Sequence, residues 1–238
     1  MTTPITDIHT HIPCPGAIVS TDPHTGITDP ACIYSMGIHP WHAADTPQPD
    51  FDQLLQLCAD PRIVAIGECG LDRLCDAPLP LQADIFRRQI AISEQLQKPL
   101  IIHCVRAYDL LLAVHRATRP TQPWIIHGFR QKPALALQLL DRGIHLSLGP
   151  RFNPDTARLI PAPRLLLETD AQPPTIPVGT RQWCVRINRV KSTPPCLCIT
   201  AVAQAVAQAR ATTPQAPLSP TAPTAPPLFH LQPPPPPP

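Results

Sequence analysis

Short apolar runs recur along the chain, and each stops at a side chain able to bind a metal ion. Ile5-Thr6-Asp7-Ile8 leads to His9-Thr10-His11, Ile63-Val64-Ala65-Ile66-Gly67 to Glu68, and Leu100-Ile101-Ile102 to His103. Trp124-Ile125-Ile126 leads to His127, and Leu165-Leu166-Leu167 to Glu168-Thr169-Asp170. Runs of β-branched and leucine residues suit strands buried on both faces, as in a parallel sheet. Helical patterns fill the intervals. Asp50 and Gln53 resemble a capping box, followed by Phe51, Leu54, Leu55 and Cys58 at i, i+3, i+4, i+7. Leu81, Ile85, Ile92 and Leu96 mark a second helix, and Tyr108, Leu111, Leu112 and His115 a third. Pro133 suits a first helical turn with Gly143 just past its end, Ile144 to Gly149 reads as a strand, and Ile199 to Arg210 as a last helix. This alternation predicts an α/β fold, a (β/α)8 TIM barrel with its ligands at the carboxyl rim.

The strand count reaches seven, with runs ending near His11, His39, Glu68, His103, His127, Ser147 and Asp170. The eighth is expected after Asp170, where Cys184-Val185-Arg186-Ile187 is the available segment. Residues 12–31, with their prolines and glycines, read as an irregular loop in place of the first helix.

Proline changes the picture at the far end. Of 36 prolines many fall beyond Pro214, where charge almost vanishes. A barrel over 1–212 and a disordered Pro-rich tail over 213–238 are therefore expected. The net charge of +2 advertises no global field for nucleic acid, so any such contact must be local. Aromatics at 4% argue against a base-stacking RNA module. Nine cysteines, several beside proposed ligands or on apolar faces, read as reduced buried thiols. Cys196 and Cys198 have no second pair at zinc-finger spacing. Met1 to Asp7 lacks a basic start and apolar core of a secretory leader, and no run is long enough to span a membrane. A cytoplasmic protein is expected, with no membrane contact and no stable protein partner.

His9 and His11, two apart on a strand, point to one side and can clamp a divalent ion, although the same string also suits two surface histidines. Asp7 can brace a ligand imidazole or simply end the strand. Glu68 at a buried strand end is costly unless paired or metal-bound, and one carboxylate can bridge two ions. Alone, His103 or His127 reads as a core histidine; together with the other strand-end ligands they read as metal-binding. Asp170 is a ligand candidate and the candidate general base. Histidine-rich ligation favours Zn²⁺ or Mn²⁺ over Mg²⁺.

The strings Asp7-Ile8-His9-Thr10-His11, Gly37-Ile38-His39-Pro40-Trp41, Gly67-Glu68-Cys69-Gly70-Leu71-Asp72, Pro99 to His103, His127-Gly128-Phe129 and Glu168-Thr169-Asp170 resemble the TatD family of metal-dependent deoxyribonucleases over residues 5 to 172. The resemblance implies a barrel of the amidohydrolase type, two divalent ions and hydrolysis of phosphodiester bonds in DNA. It implies one ion on His9, His11, Glu68 and Asp170, and a second on Glu68, His103 and His127. Glu68 and Asp170 would be catalytic, and His39 and Arg106 would bind substrate phosphate. The chain departs from the family after Asp170, where Ala171-Gln172-Pro173-Pro174 replaces Ala-Pro-Tyr or Ala-Pro-Trp. Gly179-Thr180-Arg181 and Leu228-Phe229 are the remnants of later motifs. Two other readings stand beside this one. The first is an amidohydrolase acting on a small cyclic amide or ester. The second is a non-catalytic scaffold with a degenerate C-terminal third.

Overall fold

The computed structural model describes residues 5–45, 50–173 and 195–211, together with Phe229. Eight strands form one parallel sheet in chain order: β1 Asp7–Thr10, β2 Ala17–Thr21, β3 Ile33–Met36, β4 Ile63–Asp72, β5 Leu100–Val105, β6 Trp124–Ile126, β7 His145–Leu148 and β8 Leu165–Leu167. The last strand returns to the first. Asp170 N donates to His9 O at 3.0 Å, and His11 N to Ala171 O at 2.9 Å. The buried Asp7 carboxylate tightens this seam, accepting from Thr169 N at 3.1 Å and Thr169 Oγ1 at 2.6 Å. These bonds close the sheet into a TIM barrel at its carboxyl end.

Helices cover the outside, all but α5 where the pattern predicts them: α1 Phe51–Cys58, α2 Leu79–Leu96, α3 Tyr108–Thr118, α4 Pro133–Asp141, α5 Pro154–Leu159 and α6 Pro195–Ala211. The Asp50 carboxylate starts α1 by accepting from Asp52 N and Gln53 N, both at 3.0 Å. Gly143, with φ 77°, follows α4 in the left-handed conformation that leaves a helix. α5, not expected from the pattern, is only six residues long and is started by Asn153, which accepts from Asp155 N and Thr156 N.

The missing strand corrects the sequence expectation. It is β2, within the 12–31 segment, and not a strand after Asp170. Ala17-Ile18-Val19 is too short an apolar run to stand out among prolines and glycines, yet β2 pairs with β1 on one side and β3 on the other. Among the described residues no helix separates β1, β2 and β3, in keeping with an irregular first unit. Cys184–Ile187 and the Gly179–Arg181 remnant lie outside the described residues.

Two apolar layers result. Ile8, Ile18, Val64, Ile101, Ile125 and Leu166 pack inside the barrel. Tyr34, Leu54, Phe86, Trp124 and Leu139 belong to the layer between strands and helices. Phe229, from the segment expected to be disordered, is buried with the inner group. The rest of 213–238 lies outside the described residues, as do the side chains of Cys196 and Cys198. Cys58, Cys69 and Cys104 are buried and free. No helix among the described residues is long and apolar enough to cross a membrane.

Candidate metal centre

Strand periodicity carries the site. Ile101, Ile125 and Leu166 face the barrel interior. Two residues further along the same faces stand His103, His127 and Glu168, at the carboxyl ends of β5, β6 and β8. Two glycines set the depth of β4. A Cβ on Gly67 would lie 2.3 Å from Ile101 O, and one on Gly70 would lie 2.1 Å from His103 O. Their φ angles of +141° and +137° are also unsuited to side chains. The two close approaches press β4 onto β5 on either side of Glu68.

Glu68 is buried, and its two oxygens face different groups. Oε2 lies 3.3 Å from His9 Nε2 and 3.8 Å from His11 Nε2. Asp170 Oδ1 joins this side, 3.7 Å from His9 Nε2 and 3.6 Å from His11 Nε2. Oε1 lies 2.8 Å from His127 Nε2, 2.9 Å from His103 Nδ1 and 3.2 Å from His39 Nε2. The six ligands expected from the sequence thus converge. Three donor groups close enough to share an ion emerge: His9, His11 and Asp170; His9, Glu68 and His127; and His39, Glu68 and His103.

Electrostatics follow from this crowding. Burial would raise the Glu68 carboxyl pKa, but His127, His39 and His9 together hold it well below the ordinary range. Burial opposes the His127 imidazolium as well, yet Glu68 and Glu168 push its pKa well above normal. The same contest raises His103, through Asp72 and Glu68, and His11, through Asp170 and Glu68. Asp170, despite burial, is lowered to about 2 by His11 and His9. These residues also fit a bound metal. His9 is fully buried and neither ring nitrogen has a hydrogen-bond partner, a costly state for polar atoms. Imidazole nitrogens and carboxylate oxygens are the donors that divalent ions of the zinc and manganese type prefer.

Several groups behind the ligands orient them. Asp72 Oδ2 lies 3.1 Å from His103 Nε2 and accepts from Trp41 Nε1 at 2.8 Å. Its Oδ1 accepts from Leu74 N, and Gln82 clamps its backbone from both sides. With Asp72 taking the Nε2 proton, a neutral His103 would present its Nδ1 lone pair to a bound ion. Glu168 Oε1, fixed by Gly128 N at 2.6 Å, lies 3.4 Å from His127 Nδ1 and favours positive charge on that ring. Asp72 and Glu168 stand in the quoted strings, but sequence reasoning gave them no role. The visible signal was a carboxylate at or beyond the end of a ligand-bearing strand. Asp7 is corrected in the other direction. It braces no imidazole, because its oxygens are taken by Thr169 and by His9 N at 3.2 Å.

The two residues expected to touch phosphate part company. His39 sits at the centre, on the turn after β3, with its Nδ1 accepting from Trp41 N at 3.1 Å. Burial, outweighing Glu68, lowers its pKa to about 4. With Nδ1 accepting from Trp41 N, the neutral ring carries its proton on Nε2, and His39 would have to give up that proton to act as a ligand in the third donor group. Arg106 lies just past β5 with an exposed side chain, and its carbonyl accepts from Arg73 Nε at 2.6 Å. Among the described residues no bond ties its guanidinium to the centre.

Fold and site together define a TIM barrel of the metal-dependent hydrolase type. The family model described as TatD related DNase matches residues 25–221, and the chain belongs to that family. His9 and His11 precede the matched segment. The chain is 34% identical over 151 residues to the 3'-5' ssDNA/RNA exonuclease TatD of Erwinia billingiae, covering 59% of this chain and 58% of that protein. It is 32% identical over 148 residues to the uncharacterized metal-dependent hydrolase YabD of Bacillus subtilis, 58% of each chain. The match thus spans a little under three-fifths of these relatives. Among solved structures, YJJV, a TatD homolog from Escherichia coli, superposes with a TM-score of 0.62 at 22% identity, over 89% of this chain and 96% of that one. A hydrolase TatD family protein from Entamoeba histolytica gives 0.56 at 22%, over 65% and 60%.

Proposed function

We propose that this protein hydrolyses phosphodiester bonds of DNA with two divalent cations, held by His9, His11, Glu68 and Asp170 on one side and by Glu68, His103 and His127 on the other. The observation that carries the reading is the single buried carboxylate of Glu68, one oxygen facing each group of ligands. Bound cations of this kind polarise a phosphoryl oxygen and acidify water. The protein's own groups do the rest. Asp170, ionised at neutral pH and about a third exposed, accepts the proton from the attacking water. His39 offers its Nε2 proton to a phosphate oxygen, and Arg106 supplies an exposed cation at the same rim. Nucleic acid as substrate is supported by the exonuclease relatives.

The amidohydrolase reading is disfavoured by Lys98. A carboxylated lysine could bridge ions in such an enzyme, but the Lys98 ammonium donates to Cys58 O and Asp60 O at 2.5 and 3.1 Å, away from the centre. The scaffold reading is disfavoured by the convergence of all six ligands.

The test is cleavage of an end-labelled single-stranded oligonucleotide by purified protein with Mn²⁺, alongside metal analysis. About two ions per chain are expected, with cleavage abolished by EDTA and reduced roughly a hundredfold or more in Glu68→Ala. Wild-type protein that holds metal yet leaves the strand intact ends the nuclease reading, as does equal cleavage by the variant.

A further inference from the structure

A second concave site lies at the opposite end of the barrel from the metal centre. Residues that precede or begin β6, β7 and β8 meet the end of α3 there around a cavity of about 200 Å³. Its size is below that of a drug-like ligand site and suits a small ion or group. The lining holds Arg142, Arg164, His115 and His145, with Trp124 among the remaining walls, and includes no Asp or Glu. In a chain with a net charge of only +2 this is a local concentration of positive charge.

The cations are positioned and unspent. Arg164 Nη1 donates to Gly143 O and stands 3.5 Å from both ring nitrogens of the buried His145. Among the described residues neither Arg142 nor Arg164 pairs with a carboxylate. Glu94, the carboxylate that reaches the cavity's edge, is occupied by Thr121 N at 2.8 Å, Gln122 N at 3.0 Å and the Thr121 hydroxyl. Burial and the neighbouring arginines depress both histidines, His145 through Arg164 and His115 through Arg142.

We propose that this cavity binds a phosphate group, held by the Arg164 and Arg142 guanidinium groups with His115 as a further donor. Planar guanidinium forks match phosphate oxygens, and charge-assisted hydrogen bonds of this kind are the strong ones. The group is either free phosphate or the terminal phosphate of a nucleic-acid strand. The site uses no metal ligand, so it stands whether or not the nuclease reading does.

Calorimetric titration of the full chain decides the matter, with EDTA present to silence the metal centre. Inorganic phosphate is one arm; a short oligonucleotide with and without a 5'-phosphate is the other. Saturable phosphate binding is expected, weakened about tenfold in Arg164→Gln and several-fold in Arg142→Gln. Tighter binding of the phosphorylated strand than of phosphate, lost in the same variants, assigns the group to nucleic acid. Equal affinity for the two strands assigns the site to free phosphate. Arg142 is exposed, so its variant keeps the test sound should Arg164→Gln fail to fold. Phosphate binding unchanged in the arginine variants, or absent from wild type, overturns the proposal.

Discussion

Asp72 shows how one side chain can govern a centre to which it donates no ligand atom. Its Oδ2 is shared between His103 Nε2 and Trp41 Nε1, so it fixes both the tautomer and the plane of the imidazole. Asp72→Asn keeps the size but presents an amide where an acceptor is needed, or an acceptor without charge. Removing such an outer partner lowers metal affinity or activity by roughly 10–100-fold. Metal titration of Asp72→Asn is expected to show that loss with little change in thermal stability, whereas unaltered affinity would deny Asp72 its orienting role. The candidate ligands stood out in the sequence because each follows an apolar run, and a polar group at the end of a buried strand needs a reason. Asp72, Glu168 and Asp7 were not sorted by that logic. All three are strand-associated carboxylates, and only three-dimensional pairing shows that two of them face imidazoles while the third faces Thr169.

At the scale of the element, β4 is the strand on which the centre turns. It supplies Glu68 between two glycines whose missing side chains let it approach β5. Gly70→Ala would drive a methyl group to 2.1 Å from His103 O on a backbone with φ +137°, so β4 and β5 must separate. Overpacking of this sort costs about 1–3 kcal/mol, and the strained φ adds to it. Denaturant unfolding is expected to report at least that loss, together with weakened metal binding, because His103 and Glu68 move apart. A variant as stable as wild type would show that the close approach is dispensable. The longer elements were readable because α1, α2 and α3 carry an apolar face, while Asp50 marks the start of α1 and Pro133 and Gly143 mark the ends of α4. β2 escaped because three apolar residues hemmed by Pro15-Gly16 give no periodicity; its burial comes from neighbours on both sides. α5 escaped because six residues display barely two turns.

For the whole molecule, the place of β2 beside β1 means that the eight described strands close the barrel, the last of them ending before Ala171. β8 ends just before the residues that bond β1, and the Asp7–Thr169 interlock holds that seam. The helix α6 then packs from outside: it buries Ile199, Val202 and Val206, and Arg210 Nη1 donates to Ala157 O and Ile160 O, both at 2.7 Å. Phe229 is different, since it is buried in the inner cluster with Ile5, Ile8, Ile18 and Val64. A phenylalanine buried from a Pro-rich segment contributes through the apolar surface it removes from water at the centre of the barrel, and its truncation leaves a cavity that rigid strands cannot fill. Phe229→Ala is therefore expected to cost about 3–5 kcal/mol in denaturant unfolding. The proposed metal ligands lie elsewhere, so the variant's metal affinity should hold under native conditions. Loss of affinity without loss of stability would mean that Phe229 acts on the centre and not on the core. No change in either would mean that the barrel closes without it.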